Sequence, residues 1–309
     1  MRIGLAKIIK ICYLIKVQAV KQFLLANSNG SHMSLHRKSG EKAVKLGMSI
    51  NSLKIFALIC MIIDHIGEFF PQSPMWLRWI GRISAPLFFY CSSWGFHYTR
   101  SKKTYLVRLY LLGILMSIGN ITIYFLCKKE TLINNNIFVT LFLGCAVIFV
   151  FENKCTNKGK VKYLILFLVQ QTVAFLLCAL FAEFLQIPNF IDTYMLYYGY
   201  GALFGSIIFT EGSIWFVLFF VVLYLLKENK MYLSIFVLFF TGMLEVLIRR
   251  TYYMRGAMSY LIPFNRFQWL MIFAIPFFLI YNGKKGKGNK MFYYLFYPLH
   301  IWVLYAISN

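Results

Sequence analysis

Residues 53–70 read LKIFALICMIIDHIGEFF, an apolar run that carries Asp64, His65 and Glu68 toward its end. An aspartate at the centre of a membrane helix costs about 2.5–3.5 kcal/mol on insertion scales. Ionisable groups inside such a run turn toward a bundle interior or a wet cavity, and they are functional candidates by default. Two questions follow: whether the chain lives in a bilayer, and what these polar residues do there.

Composition answers the first. The 309 residues are 60% hydrophobic and 14% charged, with a mean hydropathy of +0.66. A soluble domain runs nearer half apolar and a quarter charged. The net charge of +22 comes from Lys and Arg placed between apolar runs, as the positive-inside rule expects of a multi-span protein. No helix-turn-helix, zinc-finger or RNP pattern accompanies it, so the basic balance reads as topology and attraction to a lipid bilayer rather than to nucleic acid. Seven cysteines show no CxxC pair, which argues for neither a disulfide framework nor a metal site.

Apolar runs lie at roughly 51–70, 79–98, 104–127, 137–151, 161–185, 197–210, 213–227, 231–248, 267–281 and 291–308, judged against the ~20 residues a span needs. The expected architecture is an all-α, polytopic integral membrane helix bundle of about ten transmembrane helices. Fusing the two short runs around Glu211 and Gly212 makes nine. Lys and Arg counted between the runs place the N-terminus in the cytoplasm. Residues 1–47 stand apart as a basic N-terminal extension, because Lys7, Lys10, Lys16 and Lys21 interrupt a weakly apolar stretch. GSHM (30–33) resembles a cloning scar and Met48 makes a natural start. The extension is either not native or an amphipathic helix on an anionic membrane surface. Residues 48–309 form the transmembrane domain.

On a helix, Lys54 and His65 are separated by about 20° of rotation and ~16 Å of rise, so they share one stripe. Asp64 is adjacent to His65 and points elsewhere, whereas Glu68, three residues on, is better placed to orient the imidazole. A cation at the mouth of a bundle with a neutral imidazole deeper inside suits coenzyme A, whose phosphates and thioester lie at opposite ends of a flexible arm. His65 is the candidate general base. The alternative is a snorkelling Lys54 and a histidine bonded to another helix.

Other polar residues lie in apolar company. Arg78 and Arg82 are one turn apart, and Arg82 needs a partner such as Asp64 or Glu68. Arg100, Lys102, Lys103 and Arg108 flank a cytosolic turn; they either grip the donor's phosphates or serve as topogenic charges. His97 reads as interfacial. His300, about nine residues into the last run, is either a bonded core group or a site group that orients thioester or acceptor. Asn120 and Asn135 are weaker candidates.

The blocks LKIFALICMIIDHIGEFF, LRWIGRISAPLFFYCSSWGFHYTRSKKTYLVRLYLLG (77–113), NNIFVTLFLG (135–144) and FYYLFYPLHIWVLY (292–305) together resemble the conjugal transfer TraX family. YYGYGALFG (197–205) and IPFFLIYNGKKGKGNK (275–290) fit the same pattern. The resemblance covers 51–145, 197–205 and 267–305; 146–196 matches nothing recognisable. It implies a membrane acetyltransferase, since the namesake is associated with N-acetylation of conjugative pilin subunits, and a location in the bacterial inner membrane. Lys54-x10-His65 is also similar to the Arg-x10-His signature of the acyltransferase-3 family, which acylates surface glycans from acyl-CoA. Lys lacks the fork of Arg, so phosphate-holding at Lys54 transfers less well than the role of His65.

These readings combine into one expectation. Acetyl-CoA from the cytosol is the donor, held by Lys54, Arg100, Lys103, Arg108 and Arg82. The acceptor is an amine or hydroxyl on a pilin-like polypeptide or a surface glycan. His65, Asp64, Glu68 and His300 form the catalytic set, with Arg82, Asn120 or His300 as oxyanion donor. The rival classes are a transporter or flippase, with Asp64, Glu68 and Arg82 along its path, and a non-catalytic envelope-complex subunit. No convincing internal repeat favours the transporter.

Overall fold

The opening stretch forms helix α1 (Ile50–Phe69). Its buried positions Leu53, Ala57, Met61, His65 and Phe69 recur every four residues and make one stripe. Ser49 caps the helix, its hydroxyl accepting from the Ser52 N–H at 3.1 Å. The next free donors, the N–H groups of Ile50 and Asn51, are taken by the carbonyls of Lys284 and Lys285 at 2.9 and 3.0 Å. A segment far along the chain therefore closes the start of α1. In this computed structural model the described residues are 47–308, apart from 128, 130–131, 153–156, 185–192 and 252–260. The readings of residues 1–46, and of Cys12 and Cys155, lie outside them.

After α1 come α2 (Trp76–Gly81), α3 (Ser84–His97), α4 (Lys102–Cys127), α5 (Ile137–Glu152), α6 (Asn157–Phe184) and α7 (Thr193–Phe204). Then follow α8 (Ser213–Leu226), α9 (Lys230–Thr251), a 3-10 segment (Gln268–Ala274), α10 (Ile275–Leu279) and α11 (Lys290–Ile307). Helix α1 packs on α2, α3 and α11; α3 lies on α8, and α4 on α5 and α7. Phe89, Phe219, Phe220, Leu53 and Leu87 are fully buried between them. At Gly81 of α2 a Cβ would overlap the Asp64 side chain. The missing side chain is what lets α2 lie close enough to α1 for its arginines to reach the acids there.

The fold is all-α, with an isolated bridge between Met48 and Tyr281 outside the helices. The expectation of about ten transmembrane helices, or nine, is overturned. Among the described residues four helices are long and apolar enough to cross a membrane: Ile50–Phe69, Lys102–Cys127, Gly159–Phe184 and Lys230–Thr251. Hydropathy counts apolar residues but does not register where the backbone turns. The run 79–98 breaks at Arg82-Ile83, between α2 and α3. Gly205 (φ +67°) ends α7, and Gly212 (φ +72°) precedes α8, conformations that glycine adopts without steric cost. Helices of 12 and 14 residues span roughly 18 and 21 Å, short of the ~30 Å hydrocarbon layer. The run 267–281 splits into a 3-10 turn and the five-residue α10. Where α6 faces outward it exposes Leu166, Leu168, Val169, Leu176 and Leu180, an apolar surface of the kind that marks contact with lipid.

Candidate active site

A cavity of about 310 Å³ runs beside α1, lined by this helix from Lys54 to Glu68. Those fourteen residues of rise place its two ends ~21 Å apart. Lys54, Arg108 and Lys290 line one end; Asp64, Glu68, Arg78, Arg82 and Glu211 line the other. Met61, Phe88, Leu109 and Phe138 are among the apolar walls between. Cations without acids thus lie at one end, and acids with arginines at the other.

His65 lies in the cavity wall toward the acidic end. Its Nδ1 is 2.9 Å from His300 Nε2, and His300 Nδ1 is 2.8 Å from the Phe296 carbonyl. These contacts determine the tautomers. A carbonyl only accepts, so His300 Nδ1 carries its proton and the neutral ring presents Nε2 as acceptor. His65 Nδ1–H donates to it, which leaves the lone pair of a neutral His65 on Nε2. The two rings are 5% and 8% exposed, and His300 stacks on Phe296 at 5.2 Å between centroids. His300 stands behind His65 and does not line the cavity; its Nε2 contacts the His65 ring rather than the cavity space. Glu68, expected to orient the imidazole, lies with Oε2 4.0 Å from His65 Nε2, beyond hydrogen-bond range.

Asp64 and Glu68 are instead committed to the arginines of α2 and its C-terminus. Arg82 Nη2 donates to Asp64 Oδ1 at 2.6 Å and also to Oδ2. Its Nη1 donates to Gln268 Oε1 at 3.1 Å, and its Nε to the Arg78 carbonyl at 3.2 Å. Arg78 Nη1 reaches Asp64 Oδ1 at 3.0 Å and Glu68 Oε2 at 2.8 Å. The ion pair expected for Arg82 is therefore present, with Asp64. It lies at the far end of the cavity from Lys54, and its donors are engaged. Asp64, His65 and Glu68 place one donor atom each within 4.8 Å of one another, but a divalent cation would have to displace both guanidiniums from the carboxylates.

Of the other candidates, Lys54 and Arg108 line the cavity and lie over the rings of Tyr293 and Tyr294 at 5.3 and 5.8 Å. Arg100 and Lys103 are exposed and outside it. Lys102 pairs with Glu152. Asn120 donates to the Asn135 carbonyl at 3.1 Å and accepts from Trp302 at 2.9 Å, a structural tie between α4 and α11. Asn135 lines the cavity; its Nδ2 has a long 3.5 Å contact to Glu68, and its buried Oδ1 has no protein partner.

Glu211 was missed as a site residue. It sits between α7 and α8, its Oε2 accepting from the Asn136 N–H at 2.9 Å and the Tyr297 hydroxyl at 3.3 Å. Among the described residues no Lys or Arg pairs with it within 4.0 Å. A lone acid beside glycine between two apolar runs was the available signal.

Residues 49–308 match the TraX protein family. The chain belongs to this family. A curated relative, the "Probable fimbrial assembly protein FimC, serogroup H1" of Dichelobacter nodosus, is 26% identical over 84% of this chain and 95% of its own length. The "Uncharacterized protein RP591" of Rickettsia prowazekii is 33% identical over 34% of the chain and 38% of its own length. No solved structure matches. Membership of the TraX family supports a membrane acetyltransferase-like function and hence an acyl donor, and the four long apolar helices are those of a membrane-associated protein.

Proposed function

We propose that the protein is an integral membrane acyltransferase that moves an acetyl group from cytosolic acetyl-CoA to an amine or hydroxyl, with His65 as general base. The observation that carries this is the chain from His65 through His300 to the Phe296 carbonyl, which leaves the lone pair on Nε2 of a histidine in the cavity wall. The basic end, with Lys54, Arg108 and Lys290, faces the cytosol of a bacterial cell under the positive-inside rule, with the N-terminus on that side. The donor's phosphates stay there while its arm extends along α1 to the histidine.

The acceptor's N–H or O–H lies at the acidic end. As its heteroatom bonds to the thioester carbon, His65 Nε2 takes the proton. The C–S bond then breaks, and the same proton passes to the departing thiolate. Asn135 Nδ2 is the donor best placed for the oxyanion, because Asn120 and His300 do not line the cavity and the Arg82 donors are engaged. A general base contributes about 10²–10⁴ in rate.

Glu211 lacks a cationic partner and would attract an amine. The relative described as a fimbrial assembly protein supports a pilin-like polypeptide as acceptor; a surface glycan is the alternative. A transporter is disfavoured, because Asp64 has both oxygens bound and a translocation path needs exchangeable groups. The test is transfer from radiolabelled acetyl-CoA in membranes holding the native envelope, with intact protein and His65→Ala at equal abundance. Label that appears with the first and vanishes with the second is expected. Equal labelling removes His65 from the mechanism.

A further inference from the structure

The segment after α10, Asn282–Asn289, reads NGKKGKGN and leads into Lys290. A basic loop between helices ordinarily serves topology alone, and such a loop has no need of a fixed seat. This one has one. Besides the Lys284 and Lys285 carbonyls on the first turn of α1, the Asn282 N–H donates to the Met48 carbonyl at 3.1 Å. The Met48 N–H in turn donates to the Ile280 carbonyl at 3.0 Å. Tyr293 closes the other side, its hydroxyl donating to Asn51 Oδ1 at 2.6 Å. A Cβ at Gly286 would overlap Ser49, and one at Gly288 would overlap Asn51. The glycines let the backbone lie flat on the helix while Lys284, Lys285, Lys287 and Lys290 stay exposed.

This seat is at the cavity's basic mouth. Lys290 lines the same cavity as Lys54 and Arg108, and the charges of Lys290 and Lys285 both bear on Lys54. Among the described residues no carboxylate pairs with Lys54, Arg108, Lys285 or Lys290. The cavity's acids all lie at the opposite end. Fixed like charges at the mouth of a low-dielectric cavity repel one another, and a polyanion relieves that repulsion. The first N–H groups of α1 are consumed by the loop, so the anion's partners are side chains.

We propose that the glycine–lysine loop, through Lys285 and Lys290 together with Lys54 and Arg108, binds the phosphates at the nucleotide end of the acyl donor. This rests on the acyl-CoA reading and adds to it the seated glycine–lysine loop with Lys285. A phosphate ester could also come from an anionic lipid headgroup, so the experiment separates the two sources.

Full-length protein in discs of phosphatidylcholine would be titrated with CoA and with pantetheine, which lacks the nucleotide. The proteins compared are the intact chain, the double variant Lys285→Ala/Lys290→Ala, and Lys285→Arg/Lys290→Arg. An unchanged thermal midpoint in the exposed-loop variants shows that they fold. CoA affinity should fall about tenfold or more in the alanine variant, equivalent to ~1.4 kcal/mol. The arginine variant should regain it, pantetheine should bind all three alike, and inorganic pyrophosphate should displace CoA from the intact protein. CoA binding unchanged in the alanine variant, or absent from the intact protein, overturns the proposal. So does a variant that loses only phosphatidylglycerol retained from mixed discs, which assigns the loop to lipid. Because binding is read without turnover, lysine-dependent CoA affinity beside a failed transfer assay would retain this site and discard the acyltransferase.

Discussion

His300→Ala isolates the histidine chain from the rest of the site. The native ring accepts a hydrogen bond from His65 Nδ1–H, and it does not line the cavity. Alanine leaves that donor buried without a partner, which costs about 1–3 kcal/mol. His65 avoids the cost by moving its proton to Nε2, and the lone pair then points away from the acceptor. At 1.36 kcal/mol per factor of ten, the productive tautomer falls by about 5- to 150-fold. The kcat for acetyl transfer should fall by that factor with the KM for donor nearly unchanged, since no substrate contact is lost. His300→Gln, whose amide oxygen can accept, should recover part of the loss. His65→Ala should be the more severe, as it removes the proposed base itself. The assay is initial-rate kinetics in detergent or discs with acetyl-CoA and a soluble amine or hydroxyl acceptor. A normal kcat in His300→Ala, or a change confined to KM, would refute the relay.

Two further outcomes follow from the same end of the cavity. Arg82→Met leaves Asp64 with Arg78 alone and the Gln268 oxygen without its donor. Breaking a buried pair costs about 3–5 kcal/mol, so a stability loss of roughly 2–4 kcal/mol is expected, and Asp64→Asn added to it should restore part of that; thermal unfolding of the four combinations reads the coupling. Glu211→Gln keeps an oxygen for the Asn136 N–H and Tyr297 hydroxyl but removes a carboxyl whose pKa burial pushes up to about 7 and that an amine would ionise. The KM for an amine acceptor should rise several-fold, while that for a neutral hydroxyl acceptor stays within twofold, and equal shifts for both would count against an amine-attracting role.

Much of this was legible along the chain. The hydropathy and the placement of Lys and Arg mark an all-α membrane protein, because a bilayer rewards helices whose backbone polar groups are satisfied internally. Asp64, His65 and Glu68 stand out because charge in an apolar run is costly. The fixed rise of the helix also put Lys54 and His65 on one stripe, and both line the cavity. Span number was not legible in the same way. It depends on where helices stop, at Gly205, at Gly212 and between Gly81 and Ser84, and window averages of hydropathy pass over such points.

Tertiary structure alone decided the partners. His65 takes its orientation from a residue 235 positions away rather than from Glu68 on its own helix, because two arginines on the neighbouring turn outcompete a neutral imidazole for the carboxylates. Glu211, in a break between two helices, enters the site only when packing brings it against Asn136 and Tyr297. A helix determines which of its own residues share a face. Which groups from elsewhere meet that face depends on packing, whose contacts are set by shape and charge across distant segments.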